Sequence, residues 1–263
     1  MALNPAPRPR SFLRSSRGVG LLGASGALAA AALAILLVAG GTGAAPVGGS
    51  SITLRAPYTG TALHSETTSR VGCATTADPT HPHFARTTGA ARMIEKGSAT
   101  TCSLANGTSA ASAQGEAGLA FQEPWNVSST NGSATKLTAT WSIVWTSTVA
   151  VTGNGTLRSE IEATYVEATF SVFDLTTNRT VGSASWSHST PFNVTRGASS
   201  VNGSAVAKLT IHATLVAGNV YTITTQLSGE VSVEVQGSGA RTVSCTLNLA
   251  TSGDGAVLES IVL

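Results

Sequence analysis

Residues 136–152, KLTATWSIVWTSTVAVT, alternate between apolar and polar side chains almost without interruption. The apolar side chains share one face of an extended chain, and the threonines and serines share the other. A repeat of two residues over this length indicates a half-buried β-strand and excludes an amphipathic helix. At about 3.3 Å per residue the segment exceeds the usual length of a strand, so we expect a bend or a bulge within it.

Other segments repeat this alternation through the second half of the chain: 158–175, 205–215, 220–235, 241–249 and the last residues from 257 onward. In the first of them the apolar positions change phase between Tyr165 and Val166, which is what a β-bulge produces. The pair Gly218-Asn219 lies between two alternating segments, and it predicts a hairpin turn that joins them.

Strands in close succession predict an all-β fold, either an antiparallel β-sandwich or, alternatively, a β-barrel, preceded by one N-terminal hydrophobic helix. We expect residues 51–263 to form a single extracellular domain. Within it, residues 133–263 carry the regular strands. Residues 51–132 are rich in Gly, Ser and Thr and are expected to be irregular, with GAARMIEKG at 89–97 as a short helix candidate.

The N-terminal region predicts where the chain resides. Residues 1–18 form a basic tail with four arginines, and residues 19–41 carry no charge. A basic flank before an apolar run is typical of a signal peptide or a membrane anchor whose N-terminus stays in the cytosol. The run is long enough to span a bilayer, whereas its strongest apolar part, 27–39, has the length of a signal-peptide core. Both interpretations stay open. A Gly-rich linker follows at 42–50, and the rest of the chain is expected to be extracellular or at the cell surface.

Seven of the ten asparagines lie in the N-x-Ser/Thr pattern that accepts N-linked glycans. They are Asn106, Asn126, Asn131, Asn154, Asn178, Asn193 and Asn202. Four of the seven precede glycine, and Asn-Gly is also the pair that tight hairpin turns favour. The pattern therefore predicts a glycosylated surface, with turn chemistry as the alternative explanation.

The charge of the chain argues against binding to nucleic acid. Basic residues number 15 and acidic residues 13, but four of the arginines lie in the N-terminal tail, which leaves the remainder close to neutral. Nucleic-acid binding needs a strongly basic face. No motif of nucleophilic, zinc-hydrolase, phosphate-binding or EF-hand chemistry is present in the sequence, so we expect neither a cofactor nor a catalytic site.

The three cysteines predict one disulfide in an oxidising exterior. We expect it between Cys73 and Cys102, because closing a loop of about 30 residues would stabilise this Gly-rich region by about 3–4 kcal/mol. Cys245 lies in register with the apolar face of its segment and would then be a buried thiol. Pairings that involve Cys245 remain the alternative.

Two groups of residues are candidates for ligand binding. His81 and His83 would project to the same side of an extended chain and offer two imidazole nitrogens to zinc or copper, with Asp78 or His64 as a further ligand. Trp125 and Trp186 would form an exposed platform that stacks on sugar rings. Trp141 and Trp145 are expected to face the core instead.

Several short motifs suggest a family resemblance. VGCATT (71–76), PHF (82–84), TATWSIVW (138–145) and LNLATSGDGAVLESI (247–261), together with the basic tail and apolar run, resemble uncharacterised secreted or surface-anchored β-rich proteins of archaea. The resemblance implies an exterior location and no activity.

These observations support three hypotheses about function. The first is a non-enzymatic module of the cell surface, in envelope structure or adhesion, with glycans or other surface proteins as partners and the membrane as a further partner if residues 19–41 are retained. The second is an extracellular module that binds carbohydrate or metal. The third is an extracellular hydrolase whose site is assembled from residues distant in sequence.

Overall fold

The computed structural model describes residues 53–72, 75–101, 108–124, 135–192, 194, 196–250 and 255–263. These residues belong to one compact unit, 42–263. They form β-strands joined by turns, which confirms the all-β expectation. No helix in this part of the chain has the length and apolarity that crossing a membrane requires. The interpretations of 1–18, 19–41 and 42–50 concern residues outside the described part.

The strands differ widely in length, and two of them are exceptionally long. In chain order they are β1 (Thr53–Leu54), β2 (Thr61–Val71), β3 (Thr76–Ala85), β4 (Ala90–Thr100), β5 (Thr108–Pro124), β6 (Thr135–Asp174), β7 (Arg179–Pro191), β8 (Gly197–Ala213), β9 (Val220–Asn248) and β10 (Ala256–Val262). All pairings between them are antiparallel.

β6 and β9 contribute to two sheets, which pack face to face in a sandwich-like arrangement. The first sheet runs in the order β8, the first half of β6, the second half of β9, β4 and β3. Next to the end of β9, β10 lies between β6 and β4 and pairs with both. The second sheet runs β7, the second half of β6, the first half of β9, β5 and β2. β1 extends the first sheet by pairing with β10.

The paired strands β6 and β9 turn from one sheet into the other at a set of glycines. Gly153 and Gly239 have φ values of 89° and 91°, a region that side chains with a Cβ rarely adopt. A Cβ at Gly239 would approach the Cα of Gly155 to 2.9 Å, so the two strands meet too closely here for larger residues. A register shift between Leu157 and Ser159 completes the bend.

The core lies between the inward faces of the two sheets. Odd-numbered residues from Leu137 to Val151 are buried on the first sheet, and even-numbered residues from Thr164 to Asp174 are buried on the second. The change of phase follows from the bend, because β6 presents opposite faces to the core before and after it. The alternation predicted for 136–152 is thus confirmed. The bend that was expected within this segment begins just after it, at Gly153.

Three local expectations were wrong. The bulge placed between Tyr165 and Val166 is absent: Thr164 and Val166 both face the core, and the register shift lies at 157–159 instead. The Gly218-Asn219 turn joins no hairpin, because β8 pairs with β6 in the first sheet while β9 enters the second. Segments 220–235 and 241–249 are parts of one strand, since the glycines between them allow a bend without a break.

The prediction that residues 51–132 are irregular was also wrong, as was the helix candidate at 89–97. The described part of this region contains β2, β3, β4 and β5, and 89–97 lies largely within β4. In β5 the buried positions carry mostly alanine and glycine. Because these residues are only weakly apolar, the alternation of buried and exposed positions is not evident in the sequence. In β4 the inward positions include Glu95 and Gly97, which interrupt the apolar pattern.

Candidate functional site at the edge of the sandwich

An aromatic cluster lies where β7 closes one edge of the second sheet. Trp186 and His188 stand opposite Ala168 and Val166 of β6, which are buried. Because directly opposed residues share a face of the sheet, Trp186 and His188 also point to the side that faces the first sheet. Trp186 is half-buried there and His188 is exposed, so the cluster opens to solvent at the sandwich edge.

Trp145 reaches this cluster from the first sheet. Its ring centroid lies 6.2 Å from that of Trp186 and 4.9 Å from that of His188. The Trp186 and His188 rings are nearly parallel, at an interplanar angle of 12° and a centroid distance of 6.4 Å. The indole of Trp145 lies against Gly203 of β8, where a Cβ would overlap the ring. Gly203 therefore provides the space in which Trp145 lies.

Two buried polar atoms at this edge of the sandwich lack hydrogen-bond partners within the described part of the chain. Nε1 of Trp145 and Oγ1 of Thr190 are buried and make no hydrogen bond. Thr190 pairs with Thr164, whose hydroxyl shares a hydrogen bond of 2.6 Å with that of Ser147. An unpaired buried donor costs about 1–3 kcal/mol, so a water or ligand oxygen that reaches it is stabilised.

A second feature is the buried carboxyl group of Glu95 on β4. The residue is 0% exposed, and neither carboxyl oxygen has a hydrogen-bond partner among the described residues. A Cβ on Gly115 of β5 would collide with its Oε1, so the glycine makes room for the carboxyl group. Burial raises the pKa of Glu95 to about 8, and the negative charges of Glu66 and Asp78 add to the increase. The carboxyl group is therefore mostly protonated at neutral pH.

A shallow concave region of about 110 Å³ lies beside Tyr58, between the loop after β1 and the end of β5. The hydroxyl of Tyr58 donates a hydrogen bond of 2.9 Å to the carbonyl of Leu258. Burial raises the pKa of Tyr58 to about 12, with Arg55 lowering it and Glu259 raising it. The phenol is thus a structural donor at this position.

Of the histidine pair that the sequence suggested as metal ligands, only the side chain of His83 belongs to the described residues, so the His81–His83 site stays a prediction. His83 is exposed on the outward side of β3 opposite Arg92, and a register shift lies between Thr80 and His83. The side chain of His81 lies outside the description. Asp78 and His64 are exposed on different strands in different sheets. The described residues include no cluster of three potential metal ligands.

The remaining predicted residues divide between the described and undescribed parts of the chain. Cys73, Cys102, Trp125, Asn106, Asn126, Asn131 and Asn193 lie outside the described residues, so the disulfide stays a prediction. Asn154, Asn178 and Asn202 are exposed. Cys245 and Trp141 are buried in the core as expected, and Trp145 is 3% exposed.

Trp145 and Glu95 are the residues that sequence reasoning missed. Alternation assigned Trp145 correctly to the core face, but it gave no sign that the ring lies at the open edge beneath Trp186. Glu95 lies on the same face of β4 as Ala91, Met93 and Ala99. Its spacing of an even number of residues from these apolar positions is the sequence signal that could have identified it as inward-facing.

No protein-family model matches this chain, and no curated protein matches it. Among solved structures, a family 11 carbohydrate-binding module from Clostridium thermocellum, in complex with a β-1,3-1,4-mixed-linked tetrasaccharide, has 9% sequence identity. The match covers 70% of this chain and 94% of that chain at a TM-score of 0.17. A likeness at this TM-score supports no conclusion about fold or ligand.

Proposed function

We propose that this chain is a non-catalytic β-sandwich module of the cell surface or the extracellular space that binds carbohydrate at the edge formed by β7. The observation that carries the proposal is the half-buried indole of Trp186, nearly parallel to the exposed ring of His188 and supported from beneath by Trp145. Aromatic rings held rigidly at a surface bind the apolar C–H face of a sugar at little cost in conformational entropy.

Hydrogen-bonding groups stand beside the rings, as sugar recognition requires. The imidazole of His188 is solvent-accessible and can donate to or accept from a hydroxyl group. The indole N–H of Trp145 and the hydroxyl of Thr190, two residues along β7 from His188, are buried without a partner among the described residues. A ligand hydroxyl or an ordered water that reaches them would remove an unfavourable burial, which favours a polyhydroxylated ligand over a purely apolar one.

We expect Trp186→Ala to weaken binding of neutral gluco- or manno-oligosaccharides by at least about tenfold, because central aromatic contacts dominate the energy of such interfaces. The measurement is calorimetric titration of the full chain with a panel of these oligosaccharides. His188→Ala is expected to have a smaller effect in the same direction.

Tyr165→Ala is the matched control for this experiment. Tyr165 is half-buried on the same pair of strands, opposite Ser189, but it lies on the outward face. The control variant should bind as the wild type does. Equal affinity of the Trp186→Ala variant and the wild type, or no binding of any oligosaccharide in the panel, would contradict the proposal.

A second candidate function, a structural component of a cell envelope, is favoured by the outward faces of both sheets. These faces carry rows of serine and threonine, including Thr138 opposite Thr210 and Thr100 opposite Thr242, whose hydroxyls lie 3.2 Å and 2.8 Å apart. Asn154, Asn178 and Asn202 are exposed at the bend, a turn and an edge strand. Glycans on these residues would cover a surface of this kind without obstructing the core.

This second candidate predicts that the natively produced chain carries glycan mass. Intact mass spectrometry before and after reduction would report glycans, removal of the N-terminal segment and the disulfide together. We expect added mass at Asn154, Asn178 or Asn202, and loss of that mass after Asn→Gln substitution at the occupied positions. An unmodified mass would contradict the glycosylated envelope role.

A further inference from the structure

The outward face of the second sheet is acidic. By the register of the strands, Glu116, Glu167, Glu230 and Glu234 all point outward from β5, β6 and β9. Their neighbours on this face are serine, threonine and glutamine: Ser65 donates a 2.8 Å hydrogen bond to Glu116, and Gln114 donates one of 3.2 Å to Ser228. Among the described residues of this face there is no lysine or arginine.

Two of the carboxylates on this face, those of Glu116 and Glu167, are close enough for one to affect the other. Glu116 and Glu167 stand on either side of Ser228 in one row across three strands. Burial and then the charge of Glu116 raise the pKa of Glu167, and burial raises the pKa of Glu230. Negative charges held together without a cation favour a positively charged partner.

The outward face of the first sheet carries the opposite charge. Arg92, Lys96, Lys136 and Lys208 are exposed there, together with His83 and His212. Among the described residues, Asp78, opposite Lys96, and Glu259, on β10, are the acidic ones near this face. The two outward faces of the molecule are therefore of opposite sign and lie on opposite sides of the sandwich.

We propose that the acidic face of one copy of this chain binds the basic face of another copy, so that molecules stack face to face in a repeating order. Five strands about 4.8 Å apart and about 10 residues long cover about 800 Å², which is what one partner contributes to a standard interface. Because the two contacting faces differ and lie on opposite sides of the sandwich, each contact leaves a free face at both ends and generates a linear array. The complementary partner is present in every molecule, so a second copy explains both faces together.

The test reverses charges on each face of the full chain, which is kept in mild detergent. The protein is produced in a host that adds no glycans, because a glycan on Asn202 would cover part of the basic face. Lys136→Glu with Lys208→Glu makes both faces acidic. Glu167→Lys with Glu230→Lys leaves two glutamates and two lysines on the acidic face, so that face becomes neutral while the other stays basic. Sedimentation velocity in about 0.01 M and about 1 M salt separates electrostatic association from association through the apolar N-terminal segment, which all variants share.

We expect the wild type to associate in low salt and to dissociate in high salt. Each double variant alone should associate at least about tenfold more weakly, whereas an equimolar mixture of the two should recover association, since acidic faces then meet basic ones. The control is Arg179→Glu with Arg196→Glu, which changes the net charge as much as the lysine variant but at exposed residues, the first of β7 and the one before β8. A wild type that stays monomeric in low salt, or a mixture that does not recover association, would overturn the proposal.

Discussion

Replacing Glu95 with glutamine is expected to remove most of the pH dependence of the unfolding free energy between about pH 5 and about pH 9. The carboxyl group is fully buried with no hydrogen-bond partner in the part of the chain that the structure describes, and burial raises its pKa from 4.5 to about 8. The native state therefore keeps the proton over a range of pH in which the unfolded chain has lost it. The contribution of Glu95 to stability is therefore highest below pH 4.5 and falls as the pH rises towards 8.

The expected size of this effect is large. A shift from 4.5 to about 8 corresponds to about 5 kcal/mol of lost stability at high pH, which is comparable to the whole stability of many domains. Glutamine has nearly the same shape and stays neutral, so the variant should be more stable than the wild type at about pH 9. Urea denaturation followed by tryptophan fluorescence at several pH values measures this difference.

The control for this prediction is Glu259→Gln, which neutralises an exposed glutamate on β10. It should leave the pH profile of the wild type unchanged. If Glu95→Gln follows the wild-type profile, then Glu95 is ionised in the native state, and the closed environment formed with Gly115 and Pro82 is incorrect.

The second large effect is expected at Trp141, the largest fully buried side chain of the core. Its Nε1 donates a 2.8 Å hydrogen bond to Thr225 in the opposite sheet, and Thr225 in turn donates to the carbonyl of Thr169 at 2.9 Å. Trp141→Ala should destabilise the fold by about 3–5 kcal/mol, because it leaves a cavity and removes the link between the sheets. Thermal or urea unfolding measures the change.

A pair of milder variants separates the hydrogen bond from the packing. Trp141→Phe loses a satisfied donor, whereas Trp145→Phe loses an indole N–H that has no acceptor within the described part of the chain. We therefore expect Trp141→Phe to cost about 1 kcal/mol more than Trp145→Phe. The opposite order would show that Trp145, and not Trp141, makes the important polar contact across the core.

Much of the fold was predictable from alternation, and the failures have identifiable physical causes. The pattern at 136–152 assigned Trp141 and Ile143 to the core because large apolar side chains alternate with threonine there. The same rule failed on β5, where alanine and glycine fill the inward positions since the opposite sheet lies close. The pairing of strands was not predictable either: the Gly218-Asn219 turn is compatible with a hairpin and equally with a crossing between sheets.

The candidate site was predictable only in part. Exposure of Trp186 was expected, but the residues that complete the cluster lie 41 and 2 positions away in sequence, at Trp145 and His188. Local patterns do not report contacts between sheets, because these depend on how the long strand β6 bends. The burial of Glu95 was not predictable for a related reason. In the sequence, a glutamate at an inward position interrupts the apolar alternation and indicates the end of a strand, because the residues that enclose it come from other strands.

The indole N–H resonances of the tryptophans give the most direct test of carbohydrate binding at the β7 edge. A two-dimensional ¹H–¹⁵N spectrum of the full chain, assigned with single Trp→Phe variants, is recorded while an oligosaccharide that binds is added. We expect the Nε1–H signals of Trp186 and Trp145 to shift together in a saturable manner, while that of Trp141, bonded to Thr225 in the core, stays in place. Saturable binding that leaves the Trp186 and Trp145 signals unmoved would contradict the account.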